Sequence, residues 1–351
     1  MIHSILISII IPAYNAEKYI QQCIISLARQ DLPQDNYEIL VVNDGSTDST
    51  LSILERLSKE YPNIHILTTK NQGVSAARNL GIKTAQGKTL LFVDADDYMA
   101  ENVLSTIHHT MEADQLDLLV FNYCYHDKQG KILREFDWRE RNNMPVEIVS
   151  GQVYIQVNAL PSTVWTLAYR TSFIKKKELH FIPIRHEDEE FIPRCFYFAN
   201  QVKHINLTAY HYIQSETSFI QNYKETGFFD YIKAMDSLQQ FASKYIKEIP
   251  TQQALAKQIS SKLLMNLRNS FLFESTIQSE MIKQMKLKHL NPTLHKNKEF
   301  IIFYIHTFQV YLSCIFGTDT LDIDLNINNT YSIKIKKNNE SNTHLIRFAN
   351  V

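Results

Sequence analysis

The first hundred residues alternate between two periods of apolar and polar positions. Ile5–Ile11 is an almost continuous apolar run, which is typical of a strand covered on both faces, and Pro12 ends it. Across Ala16–Arg29 the apolar residues recur every three or four positions, which predicts an amphipathic helix. The alternation then continues, with strands over 38–42, 64–67 and 90–93 and helices around 51–57 and 74–85. It predicts an α/β fold whose mainly parallel sheet carries helices on both faces.

Polar clusters directly follow three of the predicted strands. They are Pro12–Asn15, Asn43–Asp48 and Asp94–Asp97. In a parallel sheet the carboxyl ends of the strands meet at one edge, and ligands bind there. We therefore expect the three clusters to line one pocket.

The second half of the chain has a different pattern. After about residue 145 it is rich in aromatic residues, and from about residue 220 its apolar residues keep helical spacing. The alternation in Leu321–Lys337 predicts a small β-hairpin. We therefore expect a first domain over 1–219, divided into halves 1–100 and 101–219, and a mostly helical region over 220–351.

Composition narrows the class of protein. A chain of 351 residues is long enough for about two domains. Its 36 basic and 37 acidic residues give a net charge of −1, which disfavours a nucleic-acid partner. The 4 cysteines lie far apart and are expected to be buried free thiols in a reducing cytoplasm. Phe300–Phe316 is apolar, and we expect either a buried helix there or peripheral contact with a membrane.

Asp94 and Asp96 are the strongest candidates for metal chemistry. They stand two residues apart just beyond a predicted strand, so one can hold a metal ion while the other orients a sugar hydroxyl or a water molecule. Oxygen ligands favour Mg²⁺ or Mn²⁺, and these ions usually bridge to phosphates. The alternative is an acidic turn in which Asp97 caps a helix.

Two further segments carry candidate binding groups. Asp44 is suited to accept a hydrogen bond from a base ring, although a tight turn also explains the residues around it. Asn71–Gly81 joins a loop containing Gly73 to a helix whose N-terminus is suited to an anion. Arg78 in that segment can pair with phosphate or carboxylate, and a solvated helix face is the alternative.

Together these segments match a known pattern in order and spacing. The sequence resembles the family 2 glycosyltransferases of the GT-A fold, of the kind that assemble bacterial capsular and lipopolysaccharide glycans. The resemblance covers roughly residues 4–215 and is strongest before residue 100. Asn43 departs from the pattern, because the family usually has Asp there, but the carboxylate that contacts the nucleotide matches Asp44.

The resemblance implies a role for each donor-site residue. Asp44 would hold the uracil or another base, Asp94 would contact the ribose, and Asp96 would hold the divalent ion on the diphosphate. The other residues that it assigns to the nucleotide sugar are Pro12, Ala13, Tyr14, Asn15, Asn71, Gly73, Arg78 and Ala95.

It also implies roles in the second half of the chain. His186–Phe191 looks like the family's Glu-Asp element before an aromatic residue, with Asp188 expected as catalytic base and Glu187 as second choice. A solvated acidic helix start is the alternative. Trp165 resembles the family's tryptophan near the acceptor pocket, and His211 is expected to contact the metal or the diphosphate. For both, a structural role in the core is the alternative.

The implied reaction is an inverting, metal-dependent sugar transfer. The donor would be a nucleotide-diphosphate sugar, a UDP-sugar foremost, and the acceptor a hydroxyl of a glycan or a lipid-linked glycan. A sugar nucleotidyltransferase would need a Gly-rich basic loop after the first strand, whereas Pro12–Asn15 contains no glycine. A dehydrogenase would need the G-x-G-x-x-G turn, which is missing. A non-catalytic glycan-binding or scaffold protein stays open as an alternative, and the oligomeric state is not determined by the sequence.

Overall fold

Strand β1 (Ile7–Ala13) is buried along almost its whole length, between two neighbouring strands and against the helix Val74–Thr84. The structure is a computed structural model that describes residues 4–127, 129–138, 147–214, 225–270, 275–290, 322–325, 331–336 and 343–348. The strands beside β1 are β2 (Tyr37–Asn43), β3 (Ile64–Thr68) and β4 (Thr89–Phe92). These four are mutually parallel, in the order β3-β2-β1-β4.

Five further described strands extend this sheet, and most of them run antiparallel to a neighbour. They are β5 (Tyr98–Met99), β6 (Leu118–His126), β7 (Ile132–Phe136), β8 (Leu167–Arg170) and β9 (Val202–Ile213). The order continues from β4 through β8, β6 and β9 to β5, and β7 pairs with β6. Only β6 and β9 are parallel among these pairs. The α/β class is confirmed, and the sheet is parallel over its first four strands and mixed beyond them.

The helices of the first half lie close to where the apolar spacing predicts them. They are α1 (Ile20–Ala28), α2 (Thr50–Glu60), α3 (Val74–Thr84) and α4 (Leu104–Ala113). Then come α5 (Gly151–Val157), α6 (Thr171–Lys176), α7 (Glu187–Phe198) and α8 (Glu225–Tyr245). The described helices end with α9 (Ile249–Ser270) and α10 (Ser275–Leu287). The α1 prediction began at Ala16, but 16–19 form turns in which the amide of Ala16 donates to the Thr50 hydroxyl.

Contacts divide the chain into two compact units, Met1–Ile259 and Ser260–Val351. Helix α8 belongs to the first unit and packs on α7. The predicted boundary at 219/220 falls within 215–224, outside the described residues, and stays a prediction.

The C-terminal end of the chain carries more strand structure than predicted. A three-stranded antiparallel sheet joins β10 (Asp322–Leu325), β11 (Tyr331–Lys336) and β12 (Thr343–Phe348). The hairpin prediction therefore missed its third strand, which lies in the Asn-rich and Lys-rich tail. The apolar stretch 300–316 lies outside the described residues. Among those that are described, no helix is both long and apolar enough to cross a membrane.

Candidate functional site

The ends of β1 and β2 are joined by hydrogen bonds. The two strands are in register up to Ala13 and Asn43, and the amide of Asp44 donates to the carbonyl of Ala13 at 2.9 Å. Asn15, which has a left-handed backbone, accepts from the amide of Thr47 at 2.8 Å and donates its own amide to the Ser46 hydroxyl at 3.0 Å. The first two predicted clusters therefore form one surface, on which Tyr14 stands 51% exposed.

Asp44 closes the loop that leads into α3. Its Oδ1 accepts from the amide of Gln72 at 2.9 Å and from the Thr69 hydroxyl at 3.1 Å, and its Oδ2 accepts from the amide of Gly73 at 2.7 Å. Gly45 has φ +72°, and a Cβ at that position would lie 2.8 Å from the amide nitrogen of Asn71. The loop therefore packs against the backbone after β2, and this fixes the carboxylate of Asp44 at the sheet edge.

Arg78 on α3 is the centre of the site. Its side chain is only 4% exposed, yet its guanidinium contacts three carboxylates. Nη2 lies 2.9 Å from Asp94, and Nη1 lies 2.6 Å from Glu187 and 2.8 Å from Asp188. Asp94 follows β4, whereas Glu187 and Asp188 begin α7. One cation therefore joins the predicted ribose-contacting residue to both candidate bases.

The charges in this cluster do not cancel, because three carboxylates face one guanidinium. Burial lowers the pKa of Arg78, but Asp188, Asp94 and Glu187 outweigh it and raise that pKa, so the guanidinium stays charged. Burial is the main cause that raises the pKa of Asp188 to about 8; Arg78 opposes the increase, and Glu187 and Asp94 add to it. Asp188 is thus poised to exchange a proton near neutral pH.

Local backbone geometry orients the two acids of α7. His186 precedes the helix in the left-handed region with φ 62°, and its ring packs edge-on against Tyr231 of α8 at 4.6 Å. The second oxygen of Asp188 accepts from the amide of Val164 at 3.2 Å. This amide belongs to the 3-10 turn 164–166, so Asp188 is held from two directions.

The Tyr210 hydroxyl holds the third cluster, Asp94–Asp97, through two hydrogen bonds. The Tyr210 hydroxyl donates to Oδ2 of Asp97 at 2.7 Å and accepts from the amide of Asp94 at 3.1 Å. Asp97 also accepts from the amide of Ile213 at 2.8 Å. Burial and the neighbouring Asp96 and Asp94 raise the pKa of Asp97. Asp97 is therefore a buried support for β9 and not the helix cap considered above.

Trp165 lies in an aromatic stack beside this support. It is 5% exposed, and its ring stacks on Tyr210 with centroids 4.3 Å apart and on Tyr212 with centroids 5.9 Å apart. Tyr123 meets it edge-on at 4.8 Å. The described structure thus places Trp165 in the core next to the site, and its contact with an acceptor stays a prediction.

His211 on β9 pairs with Tyr98 of β5 in the sheet. Its ring stacks on the Tyr98 ring with centroids 4.6 Å apart, and its Nδ1 lies 2.7 Å from Nε2 of His126. Burial, reinforced by His126, lowers the pKa of His211 to about 4. The ring is therefore neutral at physiological pH, which is the form that binds metals.

Few of the described side chains are placed to bind a metal ion. Within the described residues, no group of three or more His, Cys, Asp or Glu side chains is arranged to hold one. Asp96 is partly exposed after β4, and His211 is a neutral imidazole. Mg²⁺ and Mn²⁺ are commonly held by one or two protein groups together with substrate phosphates and water. The residues present therefore fit an ion that arrives with a diphosphate.

The predicted residues fall into two sets. Direct contacts join Arg78, Asp94, Glu187 and Asp188, and a second set joins Ala13, Asp44 and Gly73, while Asn15 contacts Ser46 and Thr47 of the loop after Asp44. The sequence analysis missed His126, Tyr98 and Tyr210. For Tyr210 a signal was present, since it directly precedes His211, but the partners of His126 come together only when β6 and β9 pair.

Comparison with known proteins identifies the family. The profile described as Glycosyl transferase family 2 matches residues 8–165. An uncharacterized glycosyltransferase of Haemophilus influenzae is 32% identical over 191 residues, which are 54% of this chain and 71% of that protein. The chain belongs to glycosyl transferase family 2.

Other family 2 relatives are matched over part of their length. The putative glycosyltransferase EpsH of Bacillus subtilis is 31% identical over 63% of this chain and 64% of EpsH. The poly(ribitol-phosphate) beta-N-acetylglucosaminyltransferase TarS of Staphylococcus aureus is 30% identical over 58% of this chain and 35% of TarS. The chain therefore matches less than two thirds of the length of either relative.

Solved structures confirm the GT-A fold. S. aureus TarS 1-349 in complex with UDP superposes with a TM-score of 0.64 at 21% identity, covering 97% of this chain and 98% of that chain. The mannosyltransferase PcManGT of Pyrobaculum calidifontis, in complex with GDP-Man and Mn²⁺, gives a TM-score of 0.51 at 15% identity over 89% and 86% of the two chains.

Proposed function

We propose that this family 2 chain transfers a sugar from a UDP-sugar to a hydroxyl group of a glycan acceptor, with inversion at the anomeric carbon. The observation that supports the proposal is the Arg78 cluster, in which a largely buried acid of raised pKa meets Asp94 at the carboxyl end of β4, where we expect the nucleotide. Nucleotide diphosphates are bound by relatives of the same fold: one TarS structure contains UDP and the PcManGT structure contains GDP-Man.

The donor would lie along the ends of β1, β2 and β4. Tyr14 offers an exposed ring to the base, and the fixed carboxylate of Asp44 keeps lone pairs for a base N–H. Asp94 uses one oxygen on Arg78, which leaves its second oxygen for the ribose hydroxyls. In this arrangement Arg78 holds the carboxylates in place, and its contact with the nucleotide sugar stays a prediction.

Asp188 would act as the general base. It takes the proton of the acceptor hydroxyl as the acceptor oxygen forms a bond to the anomeric carbon. The bond from that carbon to the phosphate oxygen breaks, and its electron pair leaves with the diphosphate. Attack on the face opposite the leaving group inverts the configuration, which requires the base to lie apart from the diphosphate. Asp188 on α7 and Asp96 after β4 come from separate elements, as this requires.

Asp96 and His211 would hold Mg²⁺ or Mn²⁺ on the diphosphate. When bound, such an ion supplies Lewis-acid stabilisation of the charge that develops on the leaving group. Asp96 contributes a partly exposed carboxylate, and His211 contributes a neutral ring nitrogen. The acceptor would be a glycan or lipid-linked glycan in surface polysaccharide synthesis. Buried free thiols at Cys23, Cys124 and Cys195 support a reducing, cytoplasmic location.

The decisive experiment is Asp188→Asn, assayed for sugar transfer and for UDP binding by calorimetry with Mn²⁺. We expect transfer to fall at least about a hundredfold, the usual contribution of a positioned base, while UDP affinity is retained. Asp230→Asn on α8, whose carboxylate contacts Lys233, is the matched control and should keep full activity. Wild-type activity in Asp188→Asn would remove Asp188 from the mechanism. A wild-type protein that releases no nucleotide diphosphate from any UDP-sugar would favour a non-catalytic glycan-binding protein.

A further inference from the structure

We propose that His126 is a positioning residue that fixes the tautomer of His211 and so keeps the Nε2 atom of His211 unprotonated. The inference rests on the proposed function, because it assigns the lone pair of this Nε2 atom to the divalent ion or to a donor group of the nucleotide sugar. His126 is the last residue of β6 and has no role in the proposed function.

A chain of two hydrogen bonds determines the tautomer. The Nδ1 atom of His126 lies 3.1 Å from the carbonyl oxygen of Gly130, and a carbonyl oxygen only accepts. The proton of a neutral His126 ring must therefore be on Nδ1, which leaves its Nε2 as an acceptor. Nε2 lies 2.7 Å from Nδ1 of His211, so the His211 proton must be on Nδ1. In a neutral His211 ring the remaining nitrogen, Nε2, then carries a lone pair.

Three described groups contact the ring of His126, which is 4% exposed. Gly130 offers a carbonyl, His211 a second imidazole and Tyr98 a ring with centroids 5.6 Å away. The hydrogen bonds at the two nitrogens are thus those of a ring that donates from Nδ1 and accepts at Nε2, which is the pattern of a neutral imidazole.

The sheet fixes the geometry of the pair. In the parallel pairing of β6 with β9, Cys124 is in register with His211 and His126 with Ile213, so the two histidines are diagonal neighbours. Tyr98 pairs with His211 across β5 and β9 and stacks on its ring with an interplanar angle of 13°. The ring of His211 is thus held both by a hydrogen bond at one edge and by a stack on one face.

A fixed tautomer matters because a metal-binding histidine needs an unprotonated nitrogen. Partners that accept the other ring N–H orient such ligands, and their loss typically lowers metal affinity about 10-fold to 100-fold. Without His126, His211 can place its proton on Nε2 and lose the acceptor there. His126 would therefore act on the ion only through His211.

The first test is the tautomer itself, measured by long-range ¹H–¹⁵N NMR on protein labelled at histidine, with His211→Gln used to assign the signals. We expect His211 to be protonated at Nδ1 and unprotonated at Nε2 in the metal-free wild-type protein. A His211 ring protonated at Nε2 would overturn the inference, and this measurement needs neither donor nor metal.

The second test compares two variants of His126. His126→Gln keeps an acceptor near the position of Nε2, whereas His126→Leu removes it. We expect Mn²⁺ affinity in the presence of UDP, measured by calorimetry, to fall at least about tenfold in His126→Leu and to stay near wild type in His126→Gln. His65→Leu, on the exposed part of β3, is the control.

The outcomes separate this inference from the proposed function. If His126→Leu folds, keeps the His211 tautomer and binds Mn²⁺ as tightly as wild type, His126 is not a positioning residue. If His126→Leu fails to fold, two measurements test the inference instead: the tautomer of His211 in the wild-type protein and the Mn²⁺ affinity of His126→Gln. A loss of Mn²⁺ affinity in His126→Gln would count against the inference. A wild-type protein with the expected tautomer that binds neither UDP nor Mn²⁺ would instead contradict the proposed function.

Discussion

The guanidinium of Arg78 makes the three ion pairs that join the segments of the site. These three acids come from two separate segments of the chain. Because the guanidinium is planar and carries several N–H donors, Nη2 can bind Asp94 while Nη1 binds Glu187 and Asp188. The aromatic ring of Phe181 covers the guanidinium at 5.4 Å. Removing this cation would leave three partly buried carboxylates facing one another, so Arg78 contributes both to stability and to the protonation state of Asp188.

Arg78→Met should therefore destabilise the fold. Breaking a buried ion pair by removing one partner costs about 3–5 kcal/mol, and the three partly buried carboxylates would lose the one cation that they share. We expect a decrease of that size in the free energy of unfolding, measured by urea denaturation. Arg29→Met, at an exposed arginine, should change it by less than about 0.5 kcal/mol. A wild-type midpoint for Arg78→Met would mean that the cluster is solvated in solution.

The raised pKa of Asp188 predicts a pH profile. The base works only when it has lost its proton, and burial with two neighbouring acids raises its pKa to about 8 despite Arg78. The turnover number at saturating donor should therefore rise about tenfold per pH unit below pH 8 and level off above it. Initial rates between pH 6 and 9.5 would show this. A turnover number that is flat across that range would argue that another group limits the reaction.

Single residues were predictable where a motif stands in one segment. Asp188, Arg78 and Asp94 could be named from the sequence, because each belongs to a short pattern with its own spacing. That Arg78 joins the other two could not be predicted, since its partners are 16 and 110 residues away along the chain. His126 escaped notice because a lone His in an apolar strand has the same pattern whether or not it supports a site.

At the scale of elements, α7 depends on α8 for its position. Glu190, which is 1% exposed, accepts from Arg194 at 2.6 Å and from the hydroxyl of Ser237 on α8 at 2.9 Å. Arg194 also donates to the carbonyl of His180 at 2.7 Å. Pro193 removes one backbone donor within α7, so these side-chain bonds compensate for a weakened helix interior. The acids at the start of α7 are thus held in place by a helix beyond residue 220.

Ser237→Ala tests this anchor with a small change. It removes one hydrogen bond to a buried carboxylate, which costs about 1.5–3 kcal/mol. We expect a corresponding decrease in stability and a lower turnover number, with little change in the KM of the donor, because the proposed donor site lies at the ends of β1, β2 and β4. Steady-state kinetics and thermal unfolding measure the two effects. Ser243→Ala, at an exposed hydroxyl that donates to the carbonyl of Gln239 in its own helix, is the matched control.

Elements were predictable where the period was regular. β1 to β4 and the helices between them follow the apolar pattern within a few residues, because β1, β2 and β4 are buried along almost their whole length. The antiparallel strands were not predicted, since β7 is mostly exposed and β5 has only two residues. Their place depends on long-range pairing with β6 and β9, which no local pattern specifies.

The net charge of the whole molecule is close to zero, so the attraction for the sugar donor must come from residues at the site itself. With a net charge of −1, no overall field attracts a diphosphate, and the Arg78 cation is already shared by three acids. A divalent ion on the diphosphate removes this difficulty, because it brings its own charge. Donor and ion should therefore bind together, and neither should bind well alone.

This coupling predicts a thermal shift that requires both ligands. A ligand that binds only the folded state at about 100 times its Kd adds about 2.7 kcal/mol. For a unit of the size of Met1–Ile259, with about 2–4 °C for each kcal/mol, UDP with Mn²⁺ should raise the Tm by about 5–10 °C. Differential scanning fluorimetry should show much smaller shifts for UDP alone, for Mn²⁺ alone and for GDP with Mn²⁺. Asp96→Ala should abolish the shift produced by the pair, while Asp114→Ala, directly after α4 where its carboxylate pairs with Lys203 of β9, should keep it. An equal shift from UDP in the absence of any divalent ion would show that the donor binds without a metal, and Asp96 would then have no role as a ligand.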